Sequence, residues 1–318
     1  DRDDRPYEVD LKGYGRTFPH KFGDTDHPLF FTRVLVSPEG DRLLADFAKT
    51  LIIEEELGED RITDYLSVSF SSVDAVNHFF GPGSLENEDI VLQLDQTLED
   101  LLEFVDDEIG LDDTLVVLSA DHGMSEMPEF ATEVGHPAGR LYSDQVLEAA
   151  RQASESLFGR TDLVKDFFHP YLYLDHDIVT RAKLDSVAVA SELARALERV
   201  EGIGGAVTRA EAASADPSKP GAHSAVSANN HPARSGDIYL FQSPYWFMFD
   251  RGAVAAMHGS PWAYDQHVPI IYAGADIEAM EIDRRVNPID VAPTLSALLS
   301  IISPASAQGV PLVEVLPQ

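Results

Sequence analysis

Three short stretches of this chain carry residue types that can hold a divalent cation. In the first, SSVDAVNH, Asp74 and His78 stand four apart. One turn of helix puts such a pair on the same side, where a carboxylate and an imidazole can grip one ion. The second is ADHG, with Asp121 next to His122. The third runs MHGSPWAYDQHVP and holds His258, Asp265 and His267. Singly, each also fits a capping or turn-forming Asp beside an unrelated His. Together, two Asp and three His make two metal sites more economical than one. His258 is expected to be the ligand of the third stretch, because Gly259 and Ser260 let the backbone turn and present its ring. His267 abuts Val268 and Pro269, so His267 and Asp265 are expected to support the site from behind.

The apolar patterning says which elements must position these residues. Leu43, Leu44, Phe47, Ala48, Leu51 and Ile52 recur at helical spacing, predicting a helix over 38–57. Residues 64–70 read as a strand, 86–109 as a long amphipathic helix closed by Gly110, and 114–119 as an apolar central strand. Strand, helix, strand makes a βαβ unit. The expected fold is therefore α/β, with a doubly wound, mostly parallel sheet flanked by helices. Asp74/His78 and Asp121/His122 then follow the carboxyl ends of two strands, where such sheets place their ligand sites.

Residues 124–235 read differently. Helices at 143–157 and 186–200 alternate with strands near 171–174 and 203–208, and the pattern closes with a strand at 236–241. This predicts a small inserted α+β subdomain, with 1–123 and 236–318 forming the core. Its stretch 212–232, rich in small and polar residues, is expected to be a mobile loop. A strand at 268–273 and a helix capped by Asp290, running from Val291 to about 302, resume the main sheet. Asp175, His176 and Asp177 read as a solvated turn. His20, His27, His136, His169, His223 and His231 fall in loops without an arguable partner, with His136 and His223 flanking the insertion.

Composition narrows the function classes. The chain has 318 residues, with 23 Lys plus Arg, 55 Asp plus Glu and a net charge of −32. A nucleic-acid binder needs the opposite sign, and an anionic membrane surface is disfavoured in the same way. The acid excess suits a cation-binding protein or one adapted to high salt. Cysteine is absent, which leaves His, Asp and Glu as the strong metal ligands. No G-x-S-x-G elbow or P-loop motif occurs. No apolar run approaches a membrane span, and no signal peptide is present; the chain opens without Met and is expected to be processed or cut at this end.

With these residues in view, SVSFSSVDAVNHFFGP, LVVLSADHGMSEMP, RSGDIYLF, HGSPWAYDQHVPIIYAG and VNPIDVAPTLSALL resemble the alkaline phosphatase superfamily, in its type I phosphodiesterase/nucleotide pyrophosphatase-like branch. The resemblance extends from about residue 28 to 314. It is strongest to the C-terminal portion of bacterial zinc-dependent alkaline phosphatases that use a threonine nucleophile. It implies two zinc ions, one held by Asp74, His78 and His258 and one by Asp121 and His122. It also implies a phosphate-ester substrate, two-metal in-line displacement and a periplasmic or secreted location. The nucleophile, a further Asp ligand and the phosphate clamp of such enzymes have no counterpart here and are expected on an N-terminal part of the same protein. Without that part the chain is expected to be inactive. A phosphodiesterase or nucleotide pyrophosphatase on the same metal core is the alternative. An inactive metal-binding module is a third reading, should the chain be the whole protein.

Overall fold

The computed structural model describes residues 3–316 except 217, 218, 220, 253, 275 and 276. Two compact units are present. The first comprises residues 1–37, 72–90 and 124–266, and the second 38–71, 91–123 and 267–318. Among the described residues the strands are β1 (Leu115–Ser119), β2 (Gly139–Tyr142), β3 (Val164–Phe168), β4 (Tyr171–Leu174), β5 (Ile203–Thr208), β6 (Ile238–Gln242), β7 (Trp246–Phe249) and β8 (Ile270–Gly274).

In the first unit, β3, β4, β6 and β5 form an antiparallel sheet in that order, and β2 pairs in parallel with β7. The helices Ser143–Phe158 and Ser186–Leu197 pack on the sheet. Both owe their ends to local chemistry. Asp185 accepts the backbone N–H groups of Val187 and Ala188, and Gly159 ends the earlier helix in the left-handed conformation at φ 68°. Leu163, Leu172, Leu193, Leu197, Ile238 and Leu240 fill the space between, each shielded from water. A second cluster joins Leu11, Tyr14 and Val36 to Ala75, Val76 and Phe80 of the helix Ser72–Phe80.

Two expectations for this unit change. Within 212–232 the chain is helical at Arg209–Ser214 and Ala222–Ala228, with Ala212 and Val226 buried against Val207, Tyr239 and Phe241. Thr208 and Glu211 form a capping box that starts the first of these helices, and alanine costs a helix almost nothing. Positions 217, 218 and 220 of the expected loop lie outside the described residues. The 175–177 stretch is not a solvated turn. Asp175 caps the helix His176–Arg181, and His176 Nε2 lies 2.9 Å from Oδ1 of the buried Asp237.

In the second unit, β1 and β8 form a two-stranded antiparallel ladder in which Leu118 faces Ile271. The helix Pro38–Glu54 starts with proline where its missing N–H is harmless. The helix Leu85–Glu108 crosses from one unit's sequence to the other's; Ser84 Oγ accepts the N–H of Asn87 at its start, and Gly110, at φ 100°, follows its end. The strand expected at residues 64–70 does not form: these residues are in no helix or strand and pair with no strand among the described residues. The helix Val291–Leu298 is shorter than expected. Its predicted cap, Asp290, instead takes the N–H groups of Asn287 and Val310 on its carboxylate.

Candidate metal centre

The helix Ser72–Phe80 gives the expected placement: Asp74 lies in its first turn and His78 one turn later. Asp74 Oδ2 is 3.5 Å from His78 Nε2, and Asp74 Oδ1 is 3.8 Å from His258 Nε2. The rings of His78 and His258 have centroids 5.1 Å apart. Residues 180 positions apart in sequence therefore converge within the first unit.

The tautomer of His78 follows from its other nitrogen. Nδ1 lies 2.9 Å from the carbonyl oxygen of Ala256, which can only accept a hydrogen bond. Nδ1 therefore carries a proton, and Nε2 is the ring nitrogen turned toward a carboxylate. A carboxylate oxygen and an imidazole nitrogen at this distance are placed to share a cation when Nε2 is unprotonated. Zn–N and Zn–O bonds of about 2.0–2.2 Å place two tetrahedral ligand atoms ~3.3–3.6 Å apart, close to the gaps seen here. One carboxylate and two imidazoles are, by residue type, a donor set that zinc accepts.

His258 is held by the turn that follows it. Gly259 adopts φ 96°, a conformation that disfavours side chains, and its carbonyl accepts the Tyr239 hydroxyl at 3.2 Å. Asp265, buried, takes the Ser260 N–H at 2.7 Å and also the Ser260 hydroxyl. Asp265 thus fixes the backbone two residues beyond His258. His267 is exposed and begins the segment leading to β8.

Asp121 and His122 follow β1 in the second unit. His122 repeats the arrangement of His78: Nδ1 lies 2.9 Å from the Gly123 carbonyl oxygen, and Nε2 lies 3.5 Å from Asp121 Oδ2. Asp121 Oδ1 accepts the His122 N–H at 3.0 Å. In both histidines Nδ1 is the nitrogen engaged by a backbone carbonyl.

Some contributors were not legible in the sequence. The Ala256 carbonyl and the Tyr239 hydroxyl carry no motif of their own. His20 gains a partner that its loop position concealed, with Nε2 3.1 Å from Glu86 Oε1 and its ring stacked on Tyr14. His169, in the hairpin between β3 and β4, is pushed down to about 4 by burial, with Asp250 acting upward and His258 downward. Its imidazole is therefore neutral at ordinary pH. No helix among the described residues is long and apolar enough to cross a membrane.

Two curated relatives are each 30% identical: a calcium-transporting ATPase of Myroides odoratus over 99% of this chain and 58% of its own length, and alkaline phosphatase PhoV of Synechococcus elongatus over 99% and 56%. The chain therefore spans little more than half the length of the curated relatives it matches. The crystal structure of alkaline phosphatase PafA superposes with a TM-score of 0.87 at 28% identity, over 99% of this chain and 60% of that one. The fold is thus the α/β fold of the alkaline phosphatases. Residues 7–261, which include Asp74, His78, Asp121, His122 and His258, match the family described as type I phosphodiesterase / nucleotide pyrophosphatase, and the chain belongs to that family.

Proposed function

We propose that this chain is part of a zinc-dependent phosphoester hydrolase acting on phosphate monoesters. The observation that carries the reading is the convergence of Asp74 with His78 and His258 at 3.5 and 3.8 Å, with Nδ1 of His78 engaged by the Ala256 carbonyl. Asp74, His78 and His258 hold one zinc ion, and Asp121 with His122 contributes to a second. Bound there, zinc ions supply positive charge for the attacking and leaving oxygens of an in-line displacement.

The chain's own residues do the positioning. Asp74 offers one oxygen to each imidazole. The Ala256 and Gly123 carbonyls fix the tautomers of His78 and His122. Asp265 and Tyr239 hold the turn that presents His258. Both imidazoles must be neutral to serve as ligands, which suits work at neutral to alkaline pH. The nucleophile and the further Asp ligand belong to an N-terminal segment outside these 318 residues, a placement supported by the 56–60% of its relatives' length that the chain spans. A periplasmic or secreted location accompanies this reading. The matched family's description favours a phosphodiester substrate as the second reading.

Calorimetric titration of the metal-stripped chain with zinc tests the proposal. One tight site is expected, lost in Asp74→Ala and in His258→Ala and kept in His267→Ala. Loss of zinc in His267→Ala with retention in His258→Ala would reverse the assignment. In a complete enzyme, faster turnover of a phosphodiester than of an aryl phosphate monoester would favour the second reading.

A further inference from the structure

His78 is held at both its backbone and its ring by two residues that have no polar side chain of their own. Its carbonyl lies in the last turn of the helix Ser72–Phe80, where such groups lack a partner within the helix. It accepts the N–H of Ala255 at 2.7 Å and that of Ala256 at 3.2 Å, while Nδ1 of its ring donates to the Ala256 carbonyl at 2.9 Å. His258 follows two positions later. Residues 254–260 belong to no helix or strand, so no ladder fixes this segment. Ala255 and Ala256 are buried with Met127, but a methyl group directs no hydrogen bond. The anchor comes from Arg140 in β2, whose Nη1 donates to the Ala255 carbonyl at 2.9 Å. Arg140 is held in turn. Its Nε and Nη2 donate to the two oxygens of Glu129, each at 2.7 Å. Its guanidinium lies over the ring of Phe247, the residue opposite it on β7, 4.7 Å from the centroid. Burial pushes the Glu129 carboxyl up, but the hydrogen bonds and charge of Arg140 outweigh it and hold the carboxyl below its usual range.

We infer that Arg140, braced by Glu129, is a positioning residue for the metal centre: it fixes the Ala255–Ala256 backbone, and through that backbone the ring of His78 and the placement of His258. The inference deepens the proposed metal centre and rests on it. Asp265 and Tyr239 hold the turn after His258, and Arg140 holds the chain before it, so the ligand stands between two anchors. The Ala256 carbonyl that engages His78 moves with the same segment, so one side chain governs two imidazoles. Arginine is the residue this needs. Three of its donors are used at once in a fixed fork, two on Glu129 and one on Ala255, which a lysine ammonium cannot reproduce. As an ion pair alone, with the Glu129 side chain 38% exposed, the Glu129–Arg140 contact would add little to stability.

Two measurements on the 318-residue chain test this: the His78 tautomer, read by nitrogen NMR with labelled histidine, and zinc affinity, read by calorimetry. The His78 signals are those lost in His78→Gln. In the metal-free wild type at about pH 8, where an ordinary imidazole is neutral, the proton is expected on Nδ1. In Arg140→Ala the ring divides between both tautomers, because the carbonyl that selects one is no longer fixed, and zinc affinity falls ~10–100-fold. Arg140→Lys keeps a positive charge beside Glu129 without the fork and falls in the same range. It carries the test if the alanine variant does not fold. Leu193→Ala is the control for lost stability, since it lies in the same unit and in another apolar cluster. It keeps both the tautomer and the zinc affinity. Three results overturn the inference: an unchanged His78 tautomer in a folded Arg140 variant, a loss of zinc affinity below ~10-fold there, or an equal loss in Leu193→Ala. A wild-type chain that binds no zinc sinks the metal centre instead. The tautomers, read without metal, then still decide whether Arg140 positions His78.

Discussion

The two units spend their apolar residues differently. In the first, four apolar clusters close around the β3–β4–β6–β5 sheet, the helix Ser72–Phe80 and the segments beside them. In the second, burial is confined to scattered side chains such as Ala45, Ile52, Leu101 and Val105, and none of those clusters reaches it. Most of the large exposed apolar residues lie there, with Ile62 at 74% and Ile302 at 96%. Asp74 lies close to both His78 and His258 in the first unit, and Asp121 and His122 follow a strand of a two-stranded ladder in the second. A ligand set is only as fixed as the packing beneath it.

The largest effect that would test this contrast is a cavity in the first unit. Leu193→Ala removes a wholly buried side chain of the main cluster and is expected to cost about 2–5 kcal/mol in urea unfolding. Ile302→Ala, at an exposed site of the second unit, should stay within about 0.5 kcal/mol. Equal costs would break the comparison.

The next effect separates the two ligand groups. Loss of His258 should weaken zinc binding by more than the ~10–100-fold typical of supporting residues, whereas Asp121→Ala should change the first binding step little. Calorimetry of both variants measures the difference. Asp265→Asn, which leaves an amide where the Ser260 N–H and hydroxyl need an acceptor, should fall within that ~10–100-fold range.

A smaller effect follows from Glu8, which is 5% exposed and packed in the first unit. Burial pushes its carboxyl up to about 7, the nearby Glu86 adds to this, and the N–H of Arg5 acts against it. A carboxyl whose pKa is raised by folding stabilises the protein at acid pH, and that contribution is lost as pH rises from about 4.5 to about 7. Wild type should therefore lose about 1–3 kcal/mol between pH 4.5 and 8 that Glu8→Gln does not lose, read from denaturation midpoints at the two pH values. At the bottom of the scale, Lys49→Ala breaks the Lys49–Asp100 ion pair of the second unit, whose carboxylate is exposed. It should cost less than about 1 kcal/mol, and less still in high salt.

The sequence made the long helices and the ligand-bearing stretches legible for local reasons. Helical spacing fixed Pro38–Glu54 and Leu85–Glu108 to within a few residues, because periodicity is written in consecutive positions. The Asp74–His78 pair was readable because four residues make about one turn wherever a helix forms. The small helices at Arg209–Ser214 and Ala222–Ala228 were missed because small and polar residues carry little periodicity; their order comes from Ala212 and Val226 meeting Tyr239 and Phe241 of β6. The 64–70 stretch has the alternation of a strand but no strand beside it, since pairing is a property of two segments and alternation of one.

By itself the sequence determined which side chains could serve as ligands, which segments could be helices, and that nitrogen and oxygen but no thiolate would be available. Tertiary structure decided the rest. It brought His258 to a carboxylate 184 positions earlier, set His78 and His122 in one tautomer through the carbonyls of Ala256 and Gly123, and gave His20 a carboxylate partner. The physical reason is range. Propensity and periodicity act over a few residues along the chain, whereas a bond of about 2 Å to a metal demands a placement that only packing between distant segments can hold.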